Sequence, residues 1–524
     1  MRRYAEGAGC VKNETAARAI LGVVAEPSPP PAYWLTRFMM LRLLGLAYAC
    51  AFLVAAFQIR PLVGAHGLTP AAPLFNELAQ RVGGRWPAFL RWPSVFWLDG
   101  SDGFLVGIAW AGVVLSLVLL AGYANAILLF VLWFLYMSFL PAGQDWYGFG
   151  WEIQLCETGF LAAFLCPLLD PRPFPARPPP VPVVWLFRWL IFRIMLGAGL
   201  IKVRGDSCWR DLTCLRFHYE TQPVPGPLSR MFHFLPNPVH TLGALFNHLV
   251  ELVAPAFAFC PRPWRHAAGF LFVAFQGFLI LSGNLSFLNY LTIVPALACF
   301  DDSLWRRILP ARLCAAADRA AAGAQRSRPQ SVATILVVSV VALLSIDPIA
   351  NLFSTRQVMN TSFTRLHLVN TYGAFGSVGR ERAEIVFQGS SDEKLTGASV
   401  WKEYEFKCKP GDPRRRPCLM SPYHYRLDWL MWFAAMGTPD EYPWTLHLAW
   451  KLLQNDRDTL SLIASDPFPD TPPRWVRASL YRYRFAPPGT GVWWTREYLR
   501  PWLPPLRADD PQFLELLEAS GWKD

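Results

Sequence analysis

The sequence predicts an α-helical multi-pass membrane bundle of about nine spans, followed by a C-terminal soluble, β-rich α+β domain. Three observations predict it. The chain is 53% hydrophobic and only 17% charged, where soluble domains carry about 25% charged residues. Long apolar runs concentrate in residues 1–350, whereas residues 351–524 have an ordinary water-soluble composition. The net charge of +11 divides into +9 for 1–350 and +2 for 351–524, so the basic excess lies beside the apolar runs. There it can orient helices and meet anionic lipid. A nucleic-acid binder would need a basic face on its soluble part, and that part is nearly balanced. Disorder, a collagen-like fibre and a small disulfide scaffold do not fit this composition.

A spanning helix needs about 20 mostly apolar residues. Nine segments approach that: 38–59, 104–122, 125–141, 153–169, 183–201, 241–260, 267–284, 285–300 and 332–350. The segment 285–300 is short enough to be re-entrant. The first span does not read as a cleaved signal peptide, because about 37 residues precede a run of full length. With residues 1–37 placed in the cytoplasm and alternation thereafter, the cytoplasmic segments gather Arg2, Arg3, Lys12, Arg18 and Arg37, then Arg172 and Arg177, then Arg262 and Arg265, then six arginines from Arg306 to Arg328. That bias follows the positive-inside rule. The opposite side receives loops 60–103 and 202–240, the acidic loop with Asp145 and Glu152, and domain 351–524.

Cysteine placement suits this frame. Cys10 and Cys314 fall in cytoplasmic segments, and Cys50, Cys156, Cys166, Cys260 and Cys299 fall in or at the ends of spans. The remaining four form two local pairs on the non-cytoplasmic side, Cys208/Cys214 and Cys408/Cys418, as expected of disulfides in an oxidising compartment. KPGDPRRRP, between Cys408 and Cys418, contains a Pro-Gly-Asp-Pro turn signal. CxxC spacing and zinc-type Cys/His arrays are absent from the sequence, so no metal site is predicted.

Two groups of residues stand out. After the fifth span, Lys202, Arg204, Asp206, Trp209, Arg210, Asp211, His218, Tyr219 and Glu220 crowd into nineteen residues. Such a segment reads either as an interfacial loop with aromatics at headgroup level or as a site at the membrane surface. Within the spans lie Gln154, Glu157, Arg188, Arg193, Asn247, His248, Glu251, Gln276, Asn284, Ser286 and Asn289. Ionisable groups in hydrocarbon are costly and face the bundle interior, paired. The simplest pairing joins Glu157 or Glu251 to Arg188 or Arg193; the alternatives are structural interhelical pairs or a polar cavity. His248 and Glu251 are three apart and share a helix face, but a single pair in this order does not make a di-metal carboxylate site.

In the C-terminal part, LHLVNTYGAF, RAEIVFQGS, WKEYEFKCKPG and WVRASLYRYRFAP read as four strands. RLDWLMWFAAM and YPWTLHLAWKLLQND read as helices. The aromatic density of SPYHYRLDWLMWF points to core or an interface. Asn360-Thr-Ser could accept a glycan only in a eukaryotic secretory compartment. The sequence contains no P-loop, no GxGxxG opening a helix after a strand, no GxSxG and no HExxH. Transporter-type repeats are not visible.

GLIKVRGDSCWRDLTCLRFHYETQPVP, beginning at Gly199, strongly resembles the signature loop of the lipase maturation factor family. The resemblance recurs in GLTPAAPL at 67–74, SGNLSFLNYLTIVPALACFDD at 282–302, LVNTYGAFGSVGRERAEIVFQG at 368–389 and WKEYEFKCKPGDPRRRPCLMSPYHYRLDWLMWF at 401–433. It covers the chain from about residue 35 to about 500. It implies a multi-pass protein that, in animals, sits in the ER membrane and helps dimeric lipases fold, assemble and leave the ER, with a lumenal C-terminal domain. The Arg/Pro/Ala-rich composition also suits a bacterial homologue in an inner membrane. More distantly, the chain resembles the membrane half of vitamin-K-dependent γ-glutamyl carboxylases, in which a Lys before a Trp at a span end serves as base. Here Lys202 and Trp209 follow GAGLI, with RGDSC inserted between them.

The expected function is therefore a membrane-bound folding aid for secreted proteins, working through the C-terminal domain and loop 202–240. The runner-up is a carboxylase-like enzyme using Lys202 and His218. A transporter or purely structural protein fits least. No cofactor is called for. The expected partners are the bilayer and a secreted, lipase-like client, with homo-oligomerisation left open.

Overall fold

The computed structural model describes residues 31–325 and 327–522. Most of the predicted cytoplasmic segment 1–37, with Cys10 and its four basic residues before Arg37, lies outside the described residues. Among those described, six helices are long and apolar enough to cross a membrane: Trp34–Val63, Asp102–Ala121, Ala126–Tyr147, Val181–Arg204, Arg262–Ser282 and Arg328–Phe353. Their outward faces carry exposed apolar side chains, such as Val114 and Leu117, or Ile335, Leu336 and Leu343, as a lipid-facing surface requires. The ends are capped by the residue types that suit them: Ser101 accepts from Phe104 N and Asn125 from Leu128 N.

The other three expected spans take shorter or interrupted forms, so the count of nine is not reproduced by length and apolarity. Segment 153–169 becomes helix Gly150–Ala163, about 21 Å long at 1.5 Å per residue. Segment 241–260 is broken by a π turn at Leu249–Val253, between helical stretches Asn237–His248 and Ala254–Phe257. Segment 285–300 reduces to the apolar helix Leu288–Cys299, which contains Pro295.

The bundle has two distinct ends. At one end, the Asp302 carboxylate accepts from Trp34 N and Leu35 N at 3.0 Å and caps the first helix from a distant segment. Arg37 donates to the carbonyls of Leu165 and Arg177, and Arg262 and Arg265 pair with Asp301. The other end gathers segments 60–103 and 202–240 and residues 355–522. The two long loops are not open connectors: 60–103 carries helices Ala71–Arg81 and Arg85–Arg91, and 202–240 carries Ser207–Arg210, Leu215–Thr221 and Ser229–His233.

The C-terminal part contains β1 (Thr361–Ser362), β2 (Asn370–Thr371), β3 (Arg382–Ser390), β4 (Lys402–Glu403), β5 (Glu405–Phe406), β6 (Ile463–Ser465), β7 (Trp475–Phe485) and β8 (Trp494–Leu506). Its main sheet is antiparallel in the order β4-β3-β7-β8. Of the four expected strands, RAEIVFQGS and the WVRASLYRYRF run form full strands. LHLVNTYGAF contributes only β2, and WKEYEFKCKPG splits into β4 and β5. The longest strand, β8, was not expected. Helices Arg426–Ala434 and Trp444–Leu453 match the expected helices, and Arg457–Leu460 and Pro511–Ala519 add two more. The Cys208–Cys214 and Cys408–Cys418 disulfides are both formed.

Candidate functional site

The last turn of helix Val181–Arg204 places Lys202 at the bundle end. Gly199, one turn earlier, lets the π turn approach, since a Cβ there would lie 2.6 Å from Leu252 Cδ2 and 3.0 Å from Glu251 Cβ. The result is a buried cluster. Lys202 Nζ donates to Glu251 Oε1 at 2.6 Å and to Asn247 Oδ1 at 3.0 Å, and Asn247 Nδ2 donates to Glu251 Oε2 at 2.9 Å. The Trp209 ring covers the ammonium, its centroid 5.0 Å from Nζ, in cation–π range. Trp209 is itself fixed, because Nε1 donates to Phe375 O and its carbonyl bonds His248 Nε2 at 2.9 Å.

The rest of the signature segment fastens this cluster to the C-terminal part. Asp206 accepts from Cys208 N and Val378 N and pairs with Arg380 at 2.9 Å, whose hydrogen bond holds its carboxyl down to about 2. Arg204 donates to Gln357 Oε1 and Leu352 O. Glu220 accepts from Phe485 N at 2.6 Å, and burial raises its pKa. Tyr219 stacks on Phe232. His218 sits edge-on to Phe375, and burial, with Lys202 nearby, lowers its pKa to about 4. Arg210 and Asp211 are exposed; Arg210 caps the Val203 carbonyl. Asp206, Cys208 and Cys214 bring potential ligand atoms within 4.8 Å of one another, but the two sulfurs are bonded to each other and offer no thiolate.

The polar residues of the spans have partners that hydropathy cannot reveal. Glu157 and Arg193 form an ion pair, but the pair also takes in the C-terminal part. Asn370 N and Tyr372 OH donate to Glu157 Oε2 at 3.0 and 2.7 Å, and Arg193 donates to Asn370 O at 2.6 Å. Gly197 makes room, since a Cβ there would lie 2.5 Å from the Tyr372 carbonyl oxygen. Glu251 pairs with Lys202 rather than an arginine. Among the described residues, Arg188 pairs with no carboxylate; it donates to Ala298 O at 2.9 Å and Tyr33 OH at 2.7 Å. Asn284 accepts from Met420 N and Ser421 N and donates to Cys418 O. Two further clamps were not anticipated. Gln58 bonds His424 O, Tyr423 OH and Arg426 N, and Glu152 pairs with Arg426 at 2.9 Å. The signal was present in both: an amide inside the first apolar run, and an arginine opening an aromatic-rich helix.

Between the span ends and the C-terminal part lies a cavity of about 640 Å³. Ile194, Met195, Ala198, Phe275 and Leu279 form its bundle wall, and Trp429, Trp432 and Phe433 face them across it. Lys202, Glu251 and His218 border it together with Gln154, Gln276 and Asn289. Gln154 donates to Thr292 at 3.0 Å. The arrangement can hold a largely apolar molecule and offer it hydrogen bonds; the ion pair contributes no net charge.

Two family models match the chain: "Lipase maturation factor transmembrane domain" over residues 35–307, and "Lipase maturation factor C-terminal domain" over 368–504. This chain belongs to the lipase maturation factor family. Lipase maturation factor 1 of Bos taurus is 50% identical over 504 residues, covering 91% of this chain and 90% of the bovine one. The Homo sapiens protein of that name is 46% identical over 540 residues, covering 95% and 94%. Lipase maturation factor 2 of Homo sapiens is 28% identical over 611 residues, covering 94% and 85%. No solved structure matches. The lipase maturation factor matches lend no support to the carboxylase resemblance or to a bacterial assignment. Within the family's signature loop, the lysine that resemblance singled out is spent in an ion pair with Glu251.

Proposed function

We propose that this chain is a membrane-bound maturation factor for lipases, acting as a folding aid on the lumenal side of the ER membrane. The observation that carries this reading is its likeness, over nine-tenths of both chains, to proteins named lipase maturation factor 1. The working surface is the C-terminal domain together with segment 202–240, which are joined through Asp206–Arg380 and Trp209–Phe375. Both disulfides lie in this assembly, which suits an oxidising lumen.

Nine membrane passages remain the best account of the topology. Each of the three shorter helices joins segments held at opposite ends of the bundle. Helix Gly150–Ala163 runs from Trp146, bound by Arg426, to Leu165, bound by Arg37. Helix Leu288–Cys299 runs from the Asn284 clamp towards Asp301. The interrupted helix runs from His240, bonded to Phe232 O, to Arg262. An odd number of passages puts residues 351–522 across the membrane from the N-terminus. Reporters inserted after residues 225 and 400 should read one side, and those after 175 and 320 the other.

The functional test is complementation in cells lacking their own lipase maturation factor 1 and expressing a secreted dimeric lipase. The full chain should restore lipase activity in the medium, and a chain lacking 360–500 should not. Failure of the expressed full chain to restore activity contradicts the proposal.

A further inference from the structure

The cavity under the C-terminal domain holds polar groups that the fold does not use. Gln276 is 3% exposed, Asn289 2% and His218 5%. Among the described residues, none of these three side chains makes a hydrogen bond, and all three border the same space. Buried amides are normally satisfied, and leaving one unmet costs on the order of 1–3 kcal/mol. Most of the enclosing wall is apolar or aromatic, and polar lining residues such as Gln154, Gln222 and Asn360 already have hydrogen-bond partners. The volume of about 640 Å³ falls within the roughly 300–1,000 Å³ of small-molecule sites. Among the described residues, the charged lining groups are Lys202, Glu251 and the exposed Glu381, and the first two cancel at 2.6 Å.

We propose that this cavity binds a neutral lipid with a single acyl chain, its uncharged polar head on Gln276, Asn289 and His218 and its chain against Phe275, Trp429 and Phe433. The source is the bilayer, because three of the helices that build the cavity are those of the membrane bundle, Val181–Arg204, Arg262–Ser282 and Leu288–Cys299. Neutrality follows from the cancelled pair: an anionic head would compete with Glu251 for Lys202 and leave a carboxylate buried without a partner. Amides that both donate and accept suit a hydroxyl or ester head.

The test uses the full chain in phosphatidylcholine nanodiscs containing a monoacylglycerol with a diazirine in its chain, irradiated and mapped by peptide mass spectrometry. Labelled sites are expected within 275–288 and 429–436. Unlabelled monoolein should suppress them, and oleate should need at least tenfold higher concentration. Leu279→Trp, which fills the cavity, should cut this labelling at least fivefold while labelling of the outer helix Arg328–Phe353 stays unchanged. Gln276→Leu with Asn289→Leu provides a second route that does not depend on tolerance of a tryptophan. It should weaken labelling by a similar factor while the unliganded protein melts no lower than wild type, since no native hydrogen bond is lost. Labelling confined to the outer helices, labelling undiminished in both variants, or equal competition by oleate overturns the proposal. So does suppression by an apolar peptide but not by monoolein, which would mark the cavity as a seat for protein segments.

Discussion

Arg193 and Lys202 lie on the same helix, nine residues apart, and both sit in buried ion pairs with a carboxylate from another helix. Their surroundings give the two pairs different work. Glu157–Arg193 is covered by β2: Asn370 and Tyr372 spend their polar groups on it, so the pair fastens the C-terminal domain to the bundle. Lys202–Glu251 is held by Asn247 and covered by the Trp209 ring, with no hydrogen bond to the C-terminal domain among the described residues, and it borders the cavity. Polar residues inside apolar runs are thus not all of one kind. Those whose carboxylates and amides are saturated by the C-terminal domain are rivets, whereas Lys202 and Glu251 satisfy each other at the cavity wall and leave its neutral amides to meet a ligand.

This contrast is broken most sharply by removing one member of each pair. Arg193→Ala or Lys202→Met leaves a buried carboxylate unpaired, and each should destabilise the protein by about 3–5 kcal/mol, read by unfolding in detergent micelles. The compensated variants should then diverge. Lys202→Met with Glu251→Gln keeps the acceptor for Asn247 and should recover most of the loss. Glu157→Leu with Arg193→Met strands Asn370 and Tyr372 and should recover little. Equal recovery at both sites would erase the distinction drawn here.

The next effect in size concerns the covalent staple on the domain side. Cys408→Ser with Cys418→Ser opens a short loop, with ten residues of sequence separation, and should cost about 3 kcal/mol. The loss should appear as earlier protease cleavage of 401–433, while the membrane helices stay protected.

The smallest effect is a pH dependence on the cavity side. Burial lowers the His218 pKa to about 4 from its ordinary 6.5. The unfolded chain therefore binds a proton before the folded one does. The contribution is complete above pH 6.5 and is lost as pH falls towards 4, reaching up to about 2 kcal/mol by pH 5. His218→Phe should flatten that part of the stability–pH curve. An unchanged slope would show that the imidazole is not held neutral.

Much of the membrane part was legible because a 20-residue apolar requirement is a local property, and all six long helices overlap expected runs, with ends displaced by up to six residues. Helix Arg262–Ser282 begins five residues before the expected run, where Arg262 and Arg265 pair with Asp301. The disulfide pairs were legible because each closes a local loop. What the rivets grip was not, since hydropathy marks Glu157 as unusual but carries no trace of Asn370, 213 residues away. Strand β8 was hidden by Pro501, Pro504 and Pro505, which argue against a strand interior; it tolerates them as the edge of the sheet, beside β7 alone. The cavity was legible only as a set of spare polar residues, because enclosure needs both walls and one comes from a domain that reads as independent.

Charges within the bundle hold the C-terminal domain, and a double-mutant cycle between Glu157→Gln and Tyr372→Phe, followed by denaturant unfolding of the purified full chain, measures that hold. Coupling of at least about 1 kcal/mol is expected, as for a buried hydrogen bond to a charged group. Additivity within about 0.3 kcal/mol would mean that span and domain do not meet at this contact, and would contradict it.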